Sequence, residues 1–461
     1  MKKRLSPRRF PPSLWALVLT ALSLRGLALL ATRSIPCVND ECAYRTLAME
    51  LAGGAGFQPH AGHYWPPGYI AFLAAHLHLG AGFLGAKLTQ VVLSTLLVVL
   101  VYVLARQAGR SLGAGSAHRI GLIAALIVTL HPTLIAFSHY LWSETLFLVL
   151  FVGGLILLTD VVETRSSGRA VMAGLILGLS CLIKVLPLYL LPLLAAWLIF
   201  RTRRPRVEFL PAVLFLVSAF GVIMPWTVHN LATFHRLVLI ETTTGKNLAR
   251  GNNPVAPSNW DWGARRRNRG IMARTGCSQT DPIQLNTCLA GYGVKQILEH
   301  PGRSARWAVT KVTDLVNPTS FLVRHIRRGA YGEWPPWVAD LIVILVAVFH
   351  MGLMGLAALG WLQAPRGPVR ALTLLLVLYV FAVHIATFAM SRFRLPLEPL
   401  FAIGCAFFLS HPGSWIHQSR PRRLVGLLLV LLLATCWSRR LPWLFYEPSA
   451  EGSVVEPGFG D

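Results

Sequence analysis

About eleven apolar stretches, divided mostly by short links that carry arginine, tie this chain to a membrane. A helix that is apolar on every side has no face to give to water, and a hydrocarbon core takes about 20 helical residues to cross. The stretches fall at 14–31, 83–105, 119–137, 143–160, 170–183, 185–200, 209–228, 337–361, 370–390, 395–410 and 424–438. With 54% hydrophobic and 13% charged residues and a mean hydropathy of +0.56, the chain lies outside the range of soluble domains. The expected fold class is an all-α polytopic membrane protein.

The links set an orientation. Lys2, Lys3, Arg4, Arg8 and Arg9 precede the first stretch, which contains Arg25 and reads as a retained helix rather than a cleaved leader. By the positive-inside rule the N-terminus is cytoplasmic, and residues 34–66 then lie outside. The groups Arg106/Arg110/Arg119, Arg165/Arg169, Arg201/Arg203/Arg204/Arg206, Arg366/Arg370 and Arg420/Arg422/Arg423 all fall on the cytoplasmic side of the same scheme. The formal net charge of +24 is spread over these links, so it suits anionic headgroups and argues against a nucleic-acid partner.

Pro66-Pro67-Gly68 breaks the chain, and the run from Tyr69 to Leu79 is too short to cross, so it is expected to be interfacial or re-entrant. Lys184 and Pro187 interrupt the apolar residues of 170–200 and predict a tight outside turn. The expected divisions are an N-terminal transmembrane module over 1–228 containing the first external loop, an external loop domain over 229–336, a C-terminal transmembrane module over 337–440 and a polar tail over 441–461. Within the large loop, residues 242–254 are rich in turn formers, whereas Leu285 to Val316 has helical spacing and is expected to rest Trp307, Val309 and Val312 on the headgroups among Arg303, Arg306 and Lys311. Cys37, Cys42, Cys277 and Cys288 share the outer side and stand either as disulfides of undetermined pairing or as free thiols. No Cys-x-x-Cys pair is present, and no metal site is expected.

Carboxylates beside such apolar runs need pairing or water. Asp40 and Glu41 follow the first span, Glu144 opens another, and Arg392, Arg394 and Glu398 lie between two late spans, all on the predicted outer face. The doublet alone also reads as a solvated loop end, and the arginines as interface anchors. Acids and bases meeting across helix ends nevertheless point to an active site at the outer boundary, with Arg392 and Arg394 suited to a phosphate.

The residues Asn39-Asp40-Glu41 with Tyr44, Tyr64-Trp65-Pro66-Pro67-Gly68-Tyr69, Leu141-Trp142-Ser143-Glu144-Thr145, Gly251-Asn252-Asn253-Pro254 and Arg392-Phe393-Arg394-Leu395-Pro396 follow one another in a set order. In that order the chain resembles, from about residue 14 to 410, the GT-C glycosyltransferases of the protein-mannosyltransferase and aminoarabinose-transferase type. The resemblance implies a GT-C fold and transfer of a sugar from a polyprenyl-phosphate carrier to an acceptor hydroxyl of a glycan, lipid or protein at the external face of the inner (plasma) membrane. It places the catalytic carboxylate at Asp40, with Glu41 secondary. Tyr44, Tyr64, Glu144, Asn252 and Asn253 are the candidate substrate contacts. Where some members carry a lysine before the double proline this chain has Trp65, which passes the carrier phosphate to His63, Lys184 or the Arg392/Arg394 pair. Ser143-Glu144 stands where the family often has an Asp-Glu pair, which weakens a metal or acceptor role for that loop; the lipid-linked sugar donor is expected, and a divalent metal is possible but not required.

One carboxylate is enough for that chemistry. A glycosidase needs a second to protonate an alkoxide leaving group, whereas a sugar phosphate leaves as a stabilised anion. The other reading is a transporter or flippase of lipid-linked sugars, which would set charges near mid-membrane in paired broken helices.

Overall fold

The computed structural model describes residues 10–441 except 33–36, 38, 61, 202–204, 256–269, 271–272, 274, 278–280, 320, 328, 330 and 333. The basic N-terminus, the Arg203/Arg204 link and nearly all of the 441–461 tail therefore lie outside the described residues.

The chain is a bundle of helices in this order: α1 (Pro12–Thr32), α2 (Asp40–Ala52), α3 (Pro67–His78), α4 (Gly82–Ala108), α5 (Ala114–Leu130), α6 (Pro132–His139), α7 (Glu144–Thr164), α8 (Ser167–Ile183), α9 (Leu191–Phe200) and α10 (Pro205–Phe234). There follow α11 (Thr244–Gly251), α12 (Pro282–Glu299), α13 (Pro301–Leu315), α14 (Phe321–Arg327), α15 (Pro336–Gln363), α16 (Pro368–Ala386), α17 (Glu398–Ser410) and α18 (Arg420–Ser438), with a 3-10 helix over Ser391–Leu397 running into α17. Among the described residues eight helices are long and apolar enough to cross a membrane, and each coincides with an apolar stretch of the sequence. Helices α5 and α6 make a ninth span bent by 55°, and the shorter apolar helices Ser167–Ile183 and Leu188–Phe200 occupy the two remaining stretches. α10 runs on to Phe234, so the large polar segment begins a few residues later than 229.

The bend explains Arg25. Pro132 has no N–H to give the preceding turn. Arg25, fully buried in α1, instead donates to the carbonyls of Val128 at 3.0 Å and Thr129 at 3.2 Å, and to Ser94 Oγ at 2.7 Å. Arg25→Leu is expected to destabilise the fold by about 1–3 kcal/mol for each orphaned carbonyl. A lower thermal midpoint of the detergent-solubilised protein, partly recovered by Arg25→Lys, checks this.

Small residues set the closest packing. Gly174 and Gly178 let α8 lie directly on α10, where a Cβ at Gly178 would stand 2.5 Å from the Ala219 carbonyl oxygen. Gly68 does the same for α3 against the end of α8, since a Cβ there would meet Leu182 O at 2.9 Å and Ile183 Cδ1 at 2.6 Å. That contact brings the double-proline segment beside Lys184, which ends α8 in the expected tight turn.

Charges divide between the two ends of the bundle. α7 starts at Glu144 and carries Asp160 about 24 Å further along, near its other end. There Arg110 pairs with Glu163 and, at 4.0 Å, with Asp160, and Arg169 reaches Asp160 at 3.5 Å. Asp40, Glu41, Glu144 and Arg392 gather at the opposite end.

The large polar segment is more helical than its turn formers suggest. Glu241 accepts from the Thr243 amide and from Thr244 Oγ1 at 2.7 Å, which starts α11 where a loop was expected. α13 departs from its expected arrangement at Lys311, which is buried and donates to Asn252 Oδ1 at 2.9 Å and Ile385 O at 2.8 Å, whereas Val309 is exposed. The Trp307 indole donates to Asn253 O at 3.0 Å rather than resting on a surface.

Candidate active site

α2 begins at the carboxylate doublet. Asn39 precedes it with φ of 56° and ψ of −127°, outside the left-handed helical well that asparagine tolerates, so its backbone is strained there. Asp40 and Glu41 then diverge by about 100° as successive helical residues. The Glu41 side chain is 6% exposed and faces Lys87 at 3.4 Å, and burial raises its carboxyl above the usual range. The Asp40 side chain is 25% exposed, and Arg392 Nη1 donates to its Oδ2 at 2.7 Å. Of the two, Asp40 is the carboxylate open to a substrate.

Arg392 ties three parts of the chain together. Its guanidinium lies 4.7 Å above the Trp142 ring, beside the Ser143-Glu144 start of α7. Glu144 accepts from Lys184 at 2.9 Å. The Tyr44 hydroxyl, one helical turn after Asp40, donates to Ser143 Oγ at 3.3 Å, and its ring packs edge-on against Trp65 and Tyr69 at 4.9 and 4.8 Å. Burial first, and Glu144 second, raise the Tyr44 phenol well above its ordinary range, so it stays neutral.

A further cation had no signal in the sequence. Lys246, inside the run of turn formers, rides on α11 to a half-buried place where Asp40 acts on its charge. Burial, with Arg250 in second place, brings its ammonium down to about 8, and Asp40 opposes the fall. Arg250, one turn later, lies 4.3 Å over the Phe388 ring. Only the tertiary fold brings Lys246 to Asp40, so no local spacing announces it.

The other candidates hold the scaffold. Arg394 is turned away from Arg392, because residues two apart in a 3-10 helix point about 120° from each other. Its Nε donates to Glu398 at 2.7 Å and its Nη1 to Leu315 O at 3.1 Å and to Asn317 O, leaving it 2% exposed. Of the expected Arg392/Arg394 pair, Arg392 alone faces Asp40, and Arg394 is engaged by the scaffold. His63 contacts Thr242 O through Nδ1 at 3.2 Å, and burial takes its imidazole down to about 4, so it is uncharged at neutral pH and unsuited to a phosphate. Tyr64 donates its hydroxyl to Phe57 O at 3.0 Å and its amide to Thr242 Oγ1 at 2.7 Å. Asn252 is engaged by Ala386 O at 2.7 Å and by Lys311, while Asn253 Nδ2 donates to Arg250 O at 2.9 Å. Gly251 packs against the Thr387 carbonyl with no room for a Cβ. The Gly-Asn-Asn segment therefore clasps α11 to the chain just ahead of Arg392 instead of reaching into the cleft.

His131, His350 and Glu398 are buried with ligand atoms within 4.8 Å of one another. Those atoms are already committed: Glu398 to Arg394 and to His131 Nε2 at 3.4 Å, His350 Nε2 to Thr133 Oγ1 at 3.1 Å, and His131 Nδ1 to the Leu134 amide. The guanidinium beside Glu398 repels a metal ion, so this donor set does not fit one. At the cleft, Asp40 and Glu144 are likewise matched by organic cations.

The Dolichyl-phosphate-mannose-protein mannosyltransferase family model matches residues 65–229, the part that holds Trp65, Glu144 and Lys184. No curated protein sequence matches the chain. Among solved structures, the oligosaccharyltransferase of Archaeoglobus fulgidus in its apo form aligns at a TM-score of 0.52 and 14% identity over 95% of this chain and 56% of that one. The same enzyme with zinc and sulfate aligns at 0.51 and 15% over 92% and 52%. AglB from that organism, with an inhibitory peptide and a dolichol-phosphate, aligns at 0.50 and 16% over 92% and 54%. The chain has the fold of the GT-C superfamily and resembles its protein-mannosyltransferase branch. It spans about half the length of the oligosaccharyltransferases it matches.

Proposed function

We propose that the chain is a glycosyltransferase that moves a sugar from a polyprenyl phosphate to an acceptor hydroxyl on the external face of a bacterial inner membrane, with inversion. The observation that carries this reading is the Asp40 carboxylate, accessible at the end of a membrane bundle and 2.7 Å from the Arg392 guanidinium. Asp40 takes the proton of the acceptor hydroxyl as its oxygen bonds to the anomeric carbon. The bond from that carbon to the phosphate oxygen breaks, and the carrier phosphate departs with the electron pair. Arg392, Lys184 and Lys246 supply the positive charge that stabilises it. A phosphate arriving at Arg392 draws on the same positive charge as Asp40, so it weakens the Asp40–Arg392 pair and frees the base as it binds. The paired disposition of Asp40 and Glu144 at helix ends supports this chemistry over an ion-coupled path through the bundle. Reconstitution in vesicles with a radiolabelled polyprenyl-phosphate sugar and membrane acceptors tests the proposal: acceptor-bound label supports it, and label that only changes leaflet removes it.

Lys246 gives a pH signature. Its ammonium is charged below about 8 and loses the charge as pH rises through that value. The donor KM is expected to climb above pH 8 by up to about tenfold per unit until the lysine's contribution is exhausted. Lys246→Arg, charged throughout, should flatten that rise.

The orientation is tested by labelling. Single cysteines introduced at positions 58 and 296 are expected to react with an impermeant maleimide in intact cells. Labelling of either only after lysis would place the site on the cytoplasmic side.

A further inference from the structure

The first turn of α2 lacks what usually holds a helix start. The Asn39 side chain makes no cap hydrogen bond to the helix. Asn39 also keeps a positive φ that a non-glycine residue adopts only when its surroundings impose it. Its Nδ2 is buried with no hydrogen-bond partner. The residue next to it carries the proposed base.

A disulfide joins Cys37 and Cys42, five residues apart, and closes a ring containing Asn39, Asp40 and Glu41. Cys42 is the third residue of α2, and its amide donates to Asn39 O at 3.0 Å within the same ring. So small a loop removes less chain entropy from the unfolded state than a long one, which makes its main consequence local. The second disulfide, Cys277–Cys288, spans 11 residues and packs with Ala249 of α11, beneath the helix that bears Lys246 and Arg250.

We propose that the Cys37–Cys42 disulfide is a positioning element of the active site: its ring fixes Asn39 and Asp40 so that the carboxylate meets Arg392, and reducing it suppresses transfer. This rests on the glycosyltransferase reading. A dithiol donates two electrons and two protons to the sulfur–sulfur bond, leaving two thiols and the oxidised dithiol; Asn39 then relaxes to a negative φ and Asp40 turns from the cleft. Displacement of a reacting group by about 1 Å costs on the order of 10²-fold in rate.

The test uses the full chain in lipid nanodiscs as the Cys277→Ser/Cys288→Ser variant, so that dithiothreitol acts on one disulfide alone. Mass analysis after alkylation confirms complete reduction. The expected result is a fall in kcat of about 10²-fold with donor KM nearly unchanged, faster deuterium exchange of the amides of residues 40–46, and recovery of both on reoxidation by oxidised glutathione. Unchanged exchange after full reduction overturns the proposal, as does an unchanged kcat. If no form transfers sugar, the glycosyltransferase reading fails, and exchange at 40–46 alone decides whether the disulfide sets the start of α2. Cys37→Ser/Cys42→Ser should reproduce the reduced state and ignore dithiothreitol.

Discussion

Asp40→Asn is expected to cut turnover by about 10²–10⁴-fold, while the donor binds as well as before or more tightly. The change keeps size and shape but removes the basicity that receives the acceptor's proton. It also frees Arg392 of its carboxylate partner at 2.7 Å, so the carrier phosphate loses a competitor. Glu41→Gln should act differently. Glu41 is buried against Lys87 and turned from the cleft, so its loss is expected to loosen the α2–α4 contact and lower kcat far less. A transfer assay run on both variants separates them; near-normal turnover by Asp40→Asn would take the base away from that position.

The second large effect separates two arginines that look equivalent on paper. Arg392→Gln is expected to lose less stability than Arg394→Gln, because its side chain and its partner Asp40 are partly open to water, and to weaken donor use by roughly ten- to a hundredfold, the worth of a charged hydrogen bond to phosphate of about 1.5–3 kcal/mol. Arg394→Gln leaves Glu398 buried without its guanidinium, along with the carbonyls of Leu315 and Asn317. Breaking a buried pair on one side costs about 3–5 kcal/mol, so the expected outcome is a large loss of thermal stability and of folded protein. Donor KM and the unfolding midpoint, measured on each variant, should move in this crossed pattern. A stable Arg394→Gln protein with weakened donor use would return Arg394 to the phosphate.

The contrast shows what can be read from sequence here. Membrane helices announce themselves because hydrocarbon demands long apolar runs, so every stretch between Leu14 and Ser438 reappears as a helix. Breaks were legible for the same reason: Pro66-Pro67-Gly68 and Lys184 interrupt runs that otherwise need no polar group. The rotation of a side chain about a short 3-10 segment is not written in spacing, and Arg394 therefore reads like Arg392 until Glu398 is seen beneath it. Lys311 misled in a related way. Its helix has cations and apolar residues on mixed faces, and only the carbonyls of the neighbouring segments decide that the lysine goes inward. Asp40 and Arg392 are joined across 352 residues, and the resemblance, rather than any local pattern, connected them. Lys246 had neither a pattern nor a family segment behind it. Arg25 sits in plain view in the first span, but its purpose depends on Pro132 bending a helix far along the chain.

The central claim is that this membrane protein transfers a sugar and does not merely carry one. Mass spectrometry of envelope glycolipids and glycoproteins, in cells holding the intact chain and in cells holding Asp40→Asn, tests it most directly. The account predicts that one sugar-sized increment on an acceptor disappears in the variant while the polyprenyl-phosphate sugar accumulates on the outer leaflet. An unchanged set of acceptor masses, or donor trapped on the inner leaflet, would contradict it.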